Sequence, residues 1–269
     1  MNQISAKVGL VRSLRDAVLK ILVSALGPRR LLHFIQKVEP SLVGSYVSSD
    51  YPKHLHDAAF TASRTRTDAY TLVDVLRRHE LWSLVQQSGK LAPGNYVEVG
   101  VWRGGTGLLI ADALEHFGIL GDVYLADTFT GVVAAGEHDS LYVGGEHADT
   151  SEGLVRNLLT SNGHSNVKIL KGMFPNDTAD RVEGTIRLLH IDVDVYQSAK
   201  GVVDWGFERL VPGGIVVFDD YGFASCSGIT KLCEEYEADH RFFFFHNWNG
   251  HCVLIKRPEH STLPQLGAR

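Results

Sequence analysis

The chain has 269 residues, 44% hydrophobic and 21% charged, which is ordinary for a folded protein and excludes disordered, collagen-like and polybasic classes. Its 26 basic and 31 acidic residues leave a net charge of −5, too acidic for a protein that gains affinity by coating a phosphate backbone, so no nucleic-acid partner is expected. Three scattered cysteines, Cys226, Cys233 and Cys252, form neither a disulfide framework nor a zinc ribbon, and point to a reducing cytoplasm.

In chain order, residues 1–41 hold seven Lys/Arg against Asp16 and Glu39, with Leu10, Leu14, Val18, Ile21 and Leu22 at helical spacing. A basic amphipathic helix of this kind packs on its own domain, on a second subunit as in a homodimer, or on anionic lipid. The apolar run Ala17 to Leu26 is broken by Lys20 and is about half the ~20 residues a membrane span needs, so no transmembrane segment is expected. Residues 40–66 have no clean period and read as loop or lid, with His54 and His56 placed at the surface. Residues 67–91 carry apolar positions at helical spacing and read as one helix. Ala92-Pro93-Gly94 is a turn signal, taken as the boundary between a helical N-terminal region (1–92), for capping or dimerisation, and the main domain (93–258), with a short tail (259–269).

After Gly94 short apolar runs alternate with helical segments, the pattern of a parallel sheet covered by helices. Strands are expected at 95–100, 122–127, 167–170, 187–192 and 214–219. The ending differs: RFFFFHNW and HCVLIK flank Asn249-Gly250, a strong signal for an antiparallel hairpin. Phe242 to Phe245 read as a buried strand. By analogy of fold, such a hairpin closing a parallel α/β sheet marks the seven-stranded, Rossmann-like class I methyltransferases.

Two groups carry the chemistry. The turn from Glu98 through Gly100 and Gly104 ends the first strand and opens a helix, where glycines let a ligand approach bare backbone. Its spacing, E-x-G-x-x-x-G-G, is neither a pyrophosphate cradle nor a P-loop. Asp127 ends the second strand, where a carboxylate suits a ribose diol, and Phe129 just beyond it offers a ring to stack on adenine. On the other side, Asp192 and Asp194 follow the fourth strand, and Asp219 and Asp220 follow the fifth. Carboxylates gathered at one sheet edge repel one another unless a cation lies between them, and oxygen-only ligands favour a hard ion such as Mg²⁺. Asp192, Asp219 and Asp220 form the expected metal set, with Asp192 also placed to take a proton as catalytic base and Asp194 assigned to cap the next helix. His138 and His147 fall in the loop after Asp127; His190, inside a strand, reads as a buried, hydrogen-bonded core residue.

At these residues the sequence resembles the macrocin O-methyltransferase family, through YVEVGVWRGGTG, LADTFTG, KGMFPNDT, LLHIDVDVYQS and PGGIVVFDDYG over residues 95–257. The resemblance implies that Glu98, Gly100 and Asp127 face S-adenosylmethionine and that Asp192, Asp219 and Asp220 hold Mg²⁺, with Asp192 as base. The methyl acceptor is then a small-molecule hydroxyl, on a sugar or phenol. Two departures stand out: the family's D-G-D is Asp192-Val193-Asp194 here, and residues 132–153 are an idiosyncratic insertion expected to form a substrate lid. Rival readings take Asp192-Val193-Asp194 as the D-x-D of a metal-dependent glycosyltransferase, or the whole chain as a catalytically inactive binding subunit.

Overall fold

The computed structural model describes residues 56–258; the amphipathic segment of residues 1–41, His54 and the tail 259–269 lie outside the described residues. Its centre is a seven-stranded sheet in the order β3-β2-β1-β4-β5-β7-β6. The strands are β1 (Asn95–Val99), β2 (Val123–Asp127), β3 (Lys168–Lys171), β4 (Ile186–Ile191), β5 (Leu210–Phe218), β6 (Phe242–His246) and β7 (Cys252–Lys256). The first five run parallel, and β7 runs antiparallel to both β5 and β6. The α/β class, the strand count and the reversed last strand are those expected from the sequence.

Helices cover both faces. α1 (Ala58–Thr67), α2 (Val75–Ser88), α3 (Gly105–Phe117) and α4 (Glu152–Ser161) border one apolar cluster, containing Phe60, Leu81, Trp82, Val85, Leu109 and Val155 together with Tyr96, Leu125 and Val217 of the sheet. α5 (Tyr196–Gly206) and α6 (Ser227–Glu237) cover the other face over Val97, Tyr124, Leu189, Val216 and Phe218. Strand alternation explains the division, since neighbouring residues of one strand point to opposite faces.

Three local readings are corrected. Residues 58–66 are helical rather than loop, because Asp57 accepts a hydrogen bond from the Phe60 N–H and starts α1. The single helix expected over 67–91 is split: a 3-10 turn (Asp68–Tyr70) and an extended stretch precede α2, which begins where Asp74 accepts from the N–H groups of Leu76 and Arg77. Asp74 thus acts as a start signal inside an apparently continuous period. Only Phe242 of the four-phenylalanine run is buried; β6 is the outer strand of the sheet, so Phe243 and Phe245 remain about half exposed. The hairpin forms as expected, but its turn is wider than Asn249-Gly250 alone, closed by the Asn247 N–H donating to the His251 carbonyl.

Candidate active site

The register of the sheet sets the site. Glu98 pairs with His190 across β1 and β4, His190 with Val217 across β4 and β5, and Val217 with Val253 across β5 and β7. One level further, Gly100, Asp127, Asp192 and Asp219 arrive together at the carboxyl edge of the parallel strands, where open α/β sheets bind ligands. Because β7 runs backwards, its beginning lies at the same edge, and this brings His251 beside Asp219.

A cavity of about 270 Å³ opens there. Asp127 and the Gly100–Trp102 turn line one side; Asp192, Asp194, Asp219 and Asp220 line the other. Tyr70–Val73, Arg77 and Phe223 contribute from α2's approach and from the loop after β5, and Val132, Val133, Tyr142 and His147 from the loop between β2 and α4. That loop is fastened over the site: the Ser198 hydroxyl donates to the Val133 carbonyl at 2.9 Å, and Arg103 pairs with Asp149 at 2.5 Å.

On the first side, Gly100 has φ +88° and its missing side chain is required, since a Cβ would stand 1.7 Å from the Asp192 carbonyl oxygen. The Asp127 carboxylate accepts from the N–H groups of Val101 (2.7 Å), Trp102 (2.9 Å) and Phe129 (2.6 Å). Trp102 and Phe129 take positive φ values of 46° and 56°, so this carboxylate holds two strained turns in place. Gly104 starts α3 outside the cavity lining, and Phe129 packs on the apolar cluster beneath rather than lining the cavity. Glu98 lies under the floor, fully buried, with its carboxylate 2.9 Å from His190 Nδ1. It is not among the cavity-lining residues: it lies two residues deeper in the strand than Gly100, where α3 approaches closely at Gly107 and a Cβ would stand 2.8 Å from Glu98 Oε2.

On the second side the ligating atoms of Asp192, Asp219 and Asp220 lie within 4.8 Å of one another. Their electrostatics differ sharply. Burial by itself would raise the Asp219 pKa, but the neighbouring His190 ring, the hydrogen bond and charge of His251 and the charge of Arg77 hold it far below the carboxylate range. Burial pushes Asp192 well up, reinforced by the charges of Asp219 and Asp220; burial and the charges of Asp194 and Asp219 do the same to Asp220. Asp220 Oδ2 is buried without a hydrogen-bond partner. A buried acceptor left open beside like charges fits a bound cation.

Asp194 does not cap α5. It takes φ +65° and turns its carboxylate toward Cys226 Sγ (3.7 Å) and Tyr142, while Asp139 of the loop between β2 and α4 accepts from the Tyr196 N–H at 3.0 Å in its place. His147 lines the cavity and stands 3.4 Å from the Tyr142 hydroxyl; His138 instead packs on Tyr196 and Lys231. His190 is buried and hydrogen-bonded as expected.

Arg77, Glu80 and His251 carry no motif. Arg77 is the nearest to legible, because it falls four residues before Leu81 and eight before Val85 on the buried stripe of α2. It bonds the Asp219 carboxylate, donates to the Asp219 carbonyl at 2.9 Å and to Asp74 at 2.8 Å, and lies over the Phe223 ring.

Residues 48–243 match the family model of macrocin-O-methyltransferase (TylF). The chain belongs to that family. Similar members include the 8-demethyl-8-(2,3-dimethoxy-alpha-L-rhamnosyl)-tetracenomycin-C 4'-O-methyltransferase of Streptomyces olivaceus, 29% identical over 59% of this chain and 65% of that protein. Another is the mycinamicin III 3''-O-methyltransferase of Micromonospora griseorubida, 27% identical over 65% of this chain and 72% of that protein. Among solved structures, the O-methyltransferase NovP superposes with a TM-score of 0.60 at 25% identity, over 70% of this chain and 83% of its own. The calicheamicin methyltransferase CalS11 superposes at 0.53 with 17% identity, over 79% and 99%, a likeness of fold. Membership in the macrocin O-methyltransferase family removes the glycosyltransferase reading of Asp192-Val193-Asp194. No helix among the described residues is long and apolar enough to cross a membrane.

Proposed function

We propose that the protein transfers a methyl group from S-adenosylmethionine to a hydroxyl of a sugar or other small natural product, with a divalent cation, Mg²⁺, bound by Asp192, Asp219 and Asp220. The observation that carries the cation is the gathering of Asp192, Asp219 and Asp220 oxygens within 4.8 Å of one another at the ligand edge of the sheet, with Asp220 Oδ2 buried and without a partner. The relatives' O-methyltransferase names and the family match support the reaction.

The sulfonium of S-adenosylmethionine supplies the leaving group and the ion, when bound, the Lewis acidity that eases loss of the acceptor's proton. What this chain adds is placement. Asp127 keeps acceptor capacity beyond its three backbone donors and is set to take ribose hydroxyls, with Gly100 giving the nucleoside access to bare backbone. Asp192 faces the cavity from the opposite side, where it is placed to take the acceptor's proton as general base. The loop between β2 and α4 covers both and limits water.

The test is a methyl-transfer assay on rhamnosyl and phenolic acceptors, run with and without chelator. Methylation that depends on S-adenosylmethionine, stops in EDTA and returns with Mg²⁺ supports the proposal. Full turnover in EDTA removes the cation from it, and absence of heat on titrating S-adenosylmethionine removes the reaction.

A further inference from the structure

Behind the acidic side of the cavity lie five neighbouring ionisable groups, four of them buried, that methyl transfer itself does not require. Glu98 Oε1 stands 2.9 Å from His190 Nδ1, and His190 Nε2 stands 3.5 Å from Asp219 Oδ1. From the other direction, His251 Nε2 stands 2.9 Å from the same oxygen, and His251 Nδ1 stands 3.0 Å from Glu80 Oε2. Both rings and the Glu98 and Asp219 carboxylates are buried. Glu80 is itself held by the side-chain amides of Asn247 and Asn249, the latter at 2.6 Å.

The two rings differ in how they meet Asp219: His251 hydrogen-bonds both Asp219 and Glu80 and so joins two carboxylates, whereas His190 is bonded to Glu98 and its Nε2 has no hydrogen-bond partner. Arg77 takes the other oxygen of Asp219. With His251 on one oxygen and Arg77 on the other, both ends of the Asp219 carboxylate are held and its rotation is blocked.

We propose that His251 is a positioning residue: fastened from behind by Glu80, it locks the Asp219 carboxylate in the orientation in which it shares a cation with Asp192 and Asp220. The proposal rests on the cation reading above. It brings Glu80, a residue of α2 outside the cavity lining, into the reaction. Partners of metal ligands act this way in general, by fixing the ligand's orientation.

The experiment uses the full chain with His251→Gln and Glu80→Gln. A glutamine at 251 donates from one end only, so it cannot hold Asp219 and Glu80 together; glutamine at 80 keeps the shape and removes the charge. Mn²⁺ affinity is measured by calorimetry, together with S-adenosylmethionine affinity, acceptor KM, kcat at saturating Mn²⁺ and Tm. His251→Gln is expected to weaken Mn²⁺ binding about 10-fold and to lower kcat even at saturating Mn²⁺, with acceptor KM and S-adenosylmethionine affinity unchanged. Glu80→Gln shifts the same quantities in the same direction by less, and decides the matter alone if His251→Gln does not fold. A fall in Tm with Mn²⁺ affinity and kcat both within about twofold of the unmodified protein overturns the proposal, leaving His251 and Glu80 a stability element. A flat Mn²⁺ titration of the unmodified protein is a different result, which overturns the cation reading and this proposal with it.

Discussion

The two sides of the cavity solve opposite problems with the same side chain. Asp127 is satisfied by its own backbone, three N–H donors holding it and the turns around it. Asp192 and Asp220, across the cavity, face other carboxylates, and Asp220 keeps one buried oxygen without a partner. A carboxylate that organises a turn is complete before any ligand arrives, whereas one crowded by like charges calls for a proton or a cation. On the proposed function, the contrast separates the side that recognises the cofactor from the side that reacts.

The largest break in that contrast comes from Asp192→Asn, which removes the proposed base and one cation ligand. Turnover is expected to fall by about a thousandfold while S-adenosylmethionine affinity, read by calorimetry, stays within a few-fold. Near-normal methylation by this variant defeats the assignment of Asp192. On the opposite side, Asp127→Ala removes the acceptor for the proposed ribose hydroxyls and for three backbone N–H groups. S-adenosylmethionine affinity should drop by about a hundredfold, equivalent to roughly 2.7 kcal/mol, with Mn²⁺ affinity unchanged.

A smaller effect sharpens the comparison. Asp220→Asn relieves repulsion in the absence of an ion, so in chelator the variant should melt at a higher temperature than the unmodified protein, and in excess Mg²⁺ the order should reverse. Identical melting shifts in both buffers would mean that no cation enters between these groups.

The smallest expected effect lies away from the cavity, at Asp112 on α3, which serves as a control. It accepts from Ser63 (2.6 Å), Arg66 (2.7 Å) and His164 (2.9 Å), tying α1 to α3 and to the segment after α4. Burial would raise its pKa, but the hydrogen bonds from His164, Ser63 and Arg66 prevail and lower it. A depressed carboxylate pKa contributes stability that is present above the ordinary carboxylate range and is lost as pH falls through the folded-state value. Asp112→Asn should therefore cost about 2 kcal/mol at neutral pH and progressively less below about pH 4, measured by denaturant unfolding, with methyl transfer intact in the folded fraction.

How much of this was legible in the sequence follows the physics of each signal. The sheet, the reversed last strand and the placement of Asp127, Asp192, Asp219 and Asp220 at one edge follow from apolar runs that stop at acidic residues, because strand ends and ligand edges coincide in this architecture. Glu98 is set apart by depth: two residues before Gly100 on β1, it lies under the floor against His190 and α3, and the glycine turn carries no sign of that depth. Asp194 misled because a competing carboxylate, Asp139 from an irregular loop, reached the helix end first. Arg77, Glu80 and His251 were silent because their roles arise from elements far apart in the chain, with Arg77 and Asp219 separated by 142 positions.

The backward course of β7 has a consequence for how this protein tolerates change in length. Its first residues sit at the reactive rim only because the turn from Asn247 to Gly250 is of fixed size. One residue added to that turn, absorbed by sliding β7 along β5, would carry the imidazole of residue 251 to the reverse side of the sheet. A surface hairpin, ordinarily the most forgiving place for an insertion, is here part of the gauge that sets the spacing of the reacting groups.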